Sequence, residues 1–69
     1  MTKKRAKEVG DKMRQRREAL GLTQTEAARR VGWKQSWWSG IESGKAGSIT
    51  VDTLDAIAKA LETKAAKLL

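Results

Sequence analysis

Apolar residues return along this chain at helical intervals, in segments punctuated by glycine and by capping residues. From about Ala6 to Leu20, the positions Ala6, Val9, Met13 and Leu20 share one helical face, with Arg16 and Arg17 where the stripe should continue. Gly21 ends that segment, and Leu22 can pack just beyond it. Thr23 opens the next helix: its hydroxyl can take up a free amide while Glu26, three residues on, reaches back to the amide of Thr23. The buried side of this helix is Ala27, Ala28 and Val31, and Gly32 supplies the sharp turn after it. A further short helix, residues 35–43, turns Trp38 and Ile41 inward with Trp33 and stops at Gly44.

Lys45 to Ile49 is the one loop of any length. Beyond it Thr50 can cap a helix with Asp52 in its first turn, and Val51, Leu54, Ile57, Ala58 and Leu61 give residues 51–61 the clearest amphipathic stripe in the chain. Thr63 offers another cap, for a last short helix over 64–69 that brings Leu68 and Leu69 to the core. With no proline and no strand-like alternation, the pattern predicts an all-α fold. It forms one domain over residues 6–69, preceded by a flexible basic arm over 1–5.

The outward side of the helix at 35–43 is unusual. Ser36, Ser39, Gly40 and Ser43 follow the spacing of a single face, beside Gln35. Glycine inside a helix costs about 1 kcal/mol against alanine, so Gly40 implies that something must come close there. Either a ligand approaches this face or another element of the protein packs on it.

Composition narrows the chemistry. The chain of 69 residues has no cysteine, histidine or tyrosine, which removes disulfides, thiolate and imidazole metal sites and the commonest general base. No catalytic residue, metal, cofactor or small-molecule substrate is expected. No apolar run reaches bilayer-spanning length and no signal peptide is recognisable, so a cytoplasmic protein with no membrane partner is expected. The net charge is +7, from 15 basic and 8 acidic residues. Residues 1–17 carry eight of the basic residues against Glu8 and Asp11, a local net of +6 beside the paired short helices. That is the footprint of a polyanion partner.

Gly21-Leu22-Thr23-Gln24, Glu26, Ala28, Gly32, Ile41-Glu42, Gly44-Lys45, Asp52-Thr53-Leu54 and Ala58-Lys59-Ala60-Leu61 together resemble the phage repressor and Cro-like (XRE-type) helix-turn-helix family, over about Val9 to Leu69. The resemblance implies a five-helix repressor-like bundle whose helix-turn-helix spans about 23–44 and whose recognition helix, about 35–43, enters the DNA major groove. By the same analogy Gln35, Ser36 and Gly40 stand at base-contacting positions, joined by Lys34 and Ser39. Gln24 matches a phosphate-gripping position, and Lys3, Lys4, Arg5, Arg14, Trp37 and Lys45 complete the set expected on the DNA backbone. Arg17 and Glu42 match a pair that forms an internal salt bridge in the family. Glutamine suits adenine N6 and N7, and serine suits several bases.

This sequence also departs from the family pattern. Ala27 replaces a usual leucine, while Trp33 and Trp38 replace smaller residues, so volume lost at one place is regained beside it. Trp37 lies one residue off the inward face, placed either to touch DNA or to pack on the preceding helix. Glu62 stands where glycine often follows the fourth helix, and Gly40 where a longer polar side chain is common. The alanine-rich, proline-free sequence reads as a designed or redesigned member of the family. The function implied is non-catalytic, sequence-specific binding of double-stranded DNA in transcription regulation, as a monomer or a weak homodimer on DNA. The alternative is a protein-interaction module of the same fold, antitoxin-like or dimerising.

Overall fold

Thr2 opens the first helix, its hydroxyl accepting the Arg5 N–H at 3.1 Å. The computed structural model describes residues 2–46 and 49–69. In it α1 runs from Lys3 to Ala19. The expected flexible arm is therefore corrected: residues 3–5 are helical. The Thr2 cap provides the start, and the Arg5–Glu8 ion pair (3.3 Å) supports the first turns. Met1 of that arm, and Gly47 and Ser48 of the long loop, lie outside the described residues.

Local signals set the middle of the chain. The chain leaves α1 through Gly21 at φ +71°. The capping box of Thr23 and Glu26 closes in both directions, at 3.1 and 3.0 Å, and starts α2 (Gln24–Val31). These bonds, first the one from the Thr23 backbone amide, hold the Glu26 carboxyl below its ordinary pKa. Gly32, at φ +75°, turns the chain into α3 (Gln35–Glu42), which begins at Lys34 with no side-chain cap. The hydroxyl of Thr50 caps α4 (Val51–Ala60) by accepting from Thr53 N at 3.1 Å. The last helix, α5, is Ala65–Leu68.

α2 lies against α3, α1 crosses α3, α4 backs onto α2, and α5 returns to α1. Val9, Met13, Ala27, Ala28, Trp38, Ile41, Leu54, Ile57, Ala58, Leu61 and Leu68 form one buried cluster. Ala27 and Trp38 are both fully buried in it. Trp33 packs against this cluster from its rim and is only partly buried.

Three expectations are corrected here. Val51 is 74% exposed, because the first turn of α4 runs clear of the core. Leu69 is exposed while Leu68 is buried. Thr63 caps nothing; α5 begins after Lys64 with no side-chain cap.

Two backbone positions fix how the helices meet. A Cβ on Gly10 would stand 2.2 Å from the Glu42 carbonyl oxygen and 2.8 Å from that of Ile41, so α1 reaches the end of α3 through the missing side chain. Glu62 sits at φ +55°, where a residue with a Cβ is strained by about 1–2 kcal/mol. Arg16 donates to the Leu61 and Glu62 carbonyls at 2.9 and 3.1 Å, which accounts for an arginine on the apolar stripe: it closes the end of α4.

Opposite shifts in stability are expected at these two positions. Gly10→Ala should lose about 3 kcal/mol by forcing α1 off α3. Glu62→Gly should gain about 1 kcal/mol, relief of strain outweighing its exposed ion pair with Arg30. Urea unfolding at constant m-value measures both.

Candidate nucleic-acid interface

The face that α3 presents is held from below by its last residue. Glu42 is 3% exposed, yet its carboxylate is fully engaged. Arg17 meets it through Nη2 at 2.8 Å and Nε at 3.0 Å, and Trp38 donates its indole Nε1–H at 2.5 Å. The other terminal nitrogen of Arg17 donates to the Leu22 carbonyl at 2.8 Å, so one guanidinium joins α1, the turn before α2, and α3. Burial pushes the Glu42 carboxyl up, but the hydrogen bonds from Arg17, Trp38 and Gln24, with the Arg17 charge, leave it below the ordinary carboxylate value. The hydrogen bond to Glu42 likewise raises the Arg17 guanidinium.

From Glu42 the network runs outward. Gln24, at the start of α2, donates to Glu42 at 3.4 Å, and its own oxygen accepts from Gln35 Nε2 at 2.7 Å. Gln35 is the first residue of α3 and is exposed. Its amide is thus aimed by a partner, with its oxygen and one N–H left for an outside ligand. This coupling was not legible in the sequence, since it depends on how α2 and α3 cross.

Beyond Gln35 the face is low. Ser36 is exposed, Ser39 and Gly40 are half-buried, and the Ser43 hydroxyl turns back to the Gly40 carbonyl at 3.1 Å. A Cβ built on Gly40 would meet none of the described residues within 4 Å. Among the described residues no other element covers Gly40, so packing among them does not explain it.

Cations border this face. Arg14, Gln24, Ser39 and Ser43 surround a depression of about 140 Å³ above Arg17 and Glu42. Lys3 and Lys45, distant in sequence, meet with Lys7 around a groove of about 410 Å³ beside Ser43 and Gly44. Lys7 was missed by the sequence reading, though positions 3, 7, 10, 14 and 17 share one face of α1 and could have signalled it. Lys34 is exposed where α3 begins. Lys4 and Arg5 do not line the groove. Arg5 pairs with Glu8, and Arg14 with Asp11, each at 3.3 Å in exposed contacts that a phosphate can replace. Trp37, 53% exposed, stands edge-on to Trp33 with ring centres 6.4 Å apart.

Among the described residues no helix is long and apolar enough to cross a membrane, and no group of three or more His, Cys, Asp or Glu is placed to hold a metal ion.

Two short helices joined through a left-handed glycine, the second exposed and polar within a five-helix bundle, define a helix-turn-helix protein of the repressor type. The chain belongs to the helix-turn-helix domain family, whose model matches residues 8–68. It is similar to the restriction-modification controller protein C.AhdI from Aeromonas hydrophila, at 26% identity and a TM-score of 0.85, over 93% of this chain and 96% of that one. It shares its fold with the clp gene regulator ClgR from C. glutamicum, at 22% identity and a TM-score of 0.85, over 93% of this chain and 82% of that one. The fold also recurs in HppE, at 24% identity and a TM-score of 0.84, where 91% of this chain spans 35% of the other. A search of the curated proteins finds no match. These comparisons lend no support to a designed origin.

Glu42→Gln should cost about 3 kcal/mol at pH 7, because it leaves Arg17 buried without its counter-charge. The folded carboxyl titrates below its unfolded value of about 4.3, so its contribution is complete above that pH and disappears as pH falls through the folded value. The gap between wild type and variant should therefore narrow below about pH 4, as measured by urea unfolding across a pH series.

Proposed function

We propose that this domain binds double-stranded DNA sequence-specifically, laying α3 in the major groove, as the non-catalytic reading head of a cytoplasmic transcription regulator. The observation that carries this reading is Gln35, exposed at the start of α3 and held by Gln24 while its remaining donor and acceptor face outward. A glutamine amide so oriented matches adenine N6 and N7. Ser36 and Ser39 offer smaller polar contacts beside it, and Gly40 lets the helix backbone approach the base edges. Lys34 contacts a phosphate or a guanine.

Lys3, Lys7, Arg14, Lys34 and Lys45 supply the phosphate contacts, with Gln24 against the backbone at the near edge. Lys4 and Arg5 add long-range attraction. The likeness to a restriction-modification controller and to a gene regulator supports this reading. The chain acts as a monomer or as a weak homodimer formed on DNA, two copies sitting one helical turn apart, about 34 Å.

Selection from a random duplex library, followed by sequencing of the bound fraction, tests the proposal. A short enriched motif is expected, and Gln35→Ala should relax one base pair in it at a cost of about 1–3 kcal/mol. With about five phosphates neutralised, log affinity should fall against log salt with a slope near −4 to −5. Binding without enrichment, or salt-insensitive binding to protein alone, would sink it.

Stability and affinity should part company at one position. Gly40→Ala is expected to stabilise the free domain by about 1 kcal/mol, since none of the described residues crowds the added methyl, yet to weaken binding to the selected duplex. Thermal melting and fluorescence anisotropy measure the two effects.

A further inference from the structure

We infer that the groove between Trp33 and Trp37 reads the 5-methyl group of a pyrimidine, thymine or 5-methylcytosine, in duplex DNA. The inference rests on the DNA-reading function proposed above and assigns one chemical feature of the target to one pair of side chains.

The groove, about 420 Å³, is lined by Trp33, Lys34, Ser36 and Trp37 at the start of α3. The core does not require Trp37: Trp38 and Ile41 already fill the inward face, and Trp37 remains 53% exposed. Its ring meets that of Trp33 at 84°, so the two indoles form the walls of an apolar corner. Trp33 in turn lies against the buried Trp38, ring centres 6.2 Å apart, and Glu42 fixes Trp38 through its indole N–H. The corner is therefore held by the same network that aims Gln35. Ser36, the small residue between the two sides, leaves its mouth open.

Its position selects the ligand. On α3 Trp37 flanks the outward face on the side away from Gln35, so a duplex seated on Ser36 and Gly40 brings a base edge to each flank. The corner is apolar within an otherwise polar, basic face. Among the groups that bases present in the major groove, the pyrimidine 5-methyl is the apolar one, carried by thymine and by methylated cytosine. Lys34, beside the corner, takes the adjoining phosphate and sets the depth of entry.

The test uses the duplex recovered by selection. Each thymine is replaced singly by deoxyuridine, which removes the methyl and keeps base pairing, and each cytosine singly by 5-methylcytosine. One deoxyuridine position should lower wild-type affinity about fourfold, the worth of one buried methyl group. Trp37→Ala should bind the thymine and deoxyuridine duplexes alike, near the wild-type affinity for the latter. Circular dichroism and melting check that the variant folds, as expected for an exposed residue.

Indifference of the wild type to every methyl removed or added would overturn the inference. So would a thymine preference that survives in Trp37→Ala, or an equal loss on both duplexes, which would assign Trp37 to the sugar–phosphate backbone. In all three cases specific DNA binding itself would stand. Failure to bind any duplex would defeat that function and this inference together.

Discussion

A carboxylate almost wholly removed from water has to be matched on every side, and the placing of Glu42 sets much of this small domain. Arg17 brings charge from α1, Trp38 brings an indole N–H from the preceding turn of α3, and Gln24 brings an amide from α2. Each of α2 and α3 has only eight residues, too few to persist as isolated helices in water. Their stability comes from the cluster around Trp38 and Ile41 and from this shared anchor. Removing one partner would leave a buried charge unmatched, a larger cost than the pair's own net contribution.

The same anchor links stability to recognition. The line Arg17, Glu42, Gln24, Gln35 begins at a part-buried guanidinium and ends in solvent, so the outermost amide is held by a partner before any ligand arrives. Pre-ordering of this kind lowers the entropy lost on binding. On the far flank Trp38 serves Trp33 in a similar way. Between the flanks, Ser36 and Gly40 keep the surface low. The fold alone does not dictate these uses: it makes up nearly the whole of C.AhdI but about a third of HppE.

Legibility followed the range of the interactions involved. The bounds of α2 were readable because the Thr23–Glu26 box and Gly32 act within a few residues. The start of α1 was not, because Thr2 opens a turn of lysines and arginine with no apolar signal. Val51 and Leu69 fit helical spacing, but periodicity does not say where the core ends. Gly10 was passed over since a glycine in an amphipathic stretch looks neutral until another backbone is found 2.2 Å from its missing Cβ. Glu62, by contrast, stands where the resemblance anticipated glycine and adopts the left-handed conformation that glycine favours. For the interface, residue types and their order could be read, but the Gln24–Gln35 bond and the meeting of Lys3, Lys7 and Lys45 required the crossing of helices far apart in sequence.

Amide and side-chain NMR shifts of the labelled domain, titrated with its selected duplex, test the central claim most directly. The account predicts the largest changes at Gln35, Ser36, Ser39 and Gly40, at the side-chain amide of Gln24 and the indole of Trp37, with Lys3, Lys7 and Lys45 at the margin. The outward faces of α4 and α5 should stay still. Shifts centred on α4 and α5, with α3 unmoved, would contradict it.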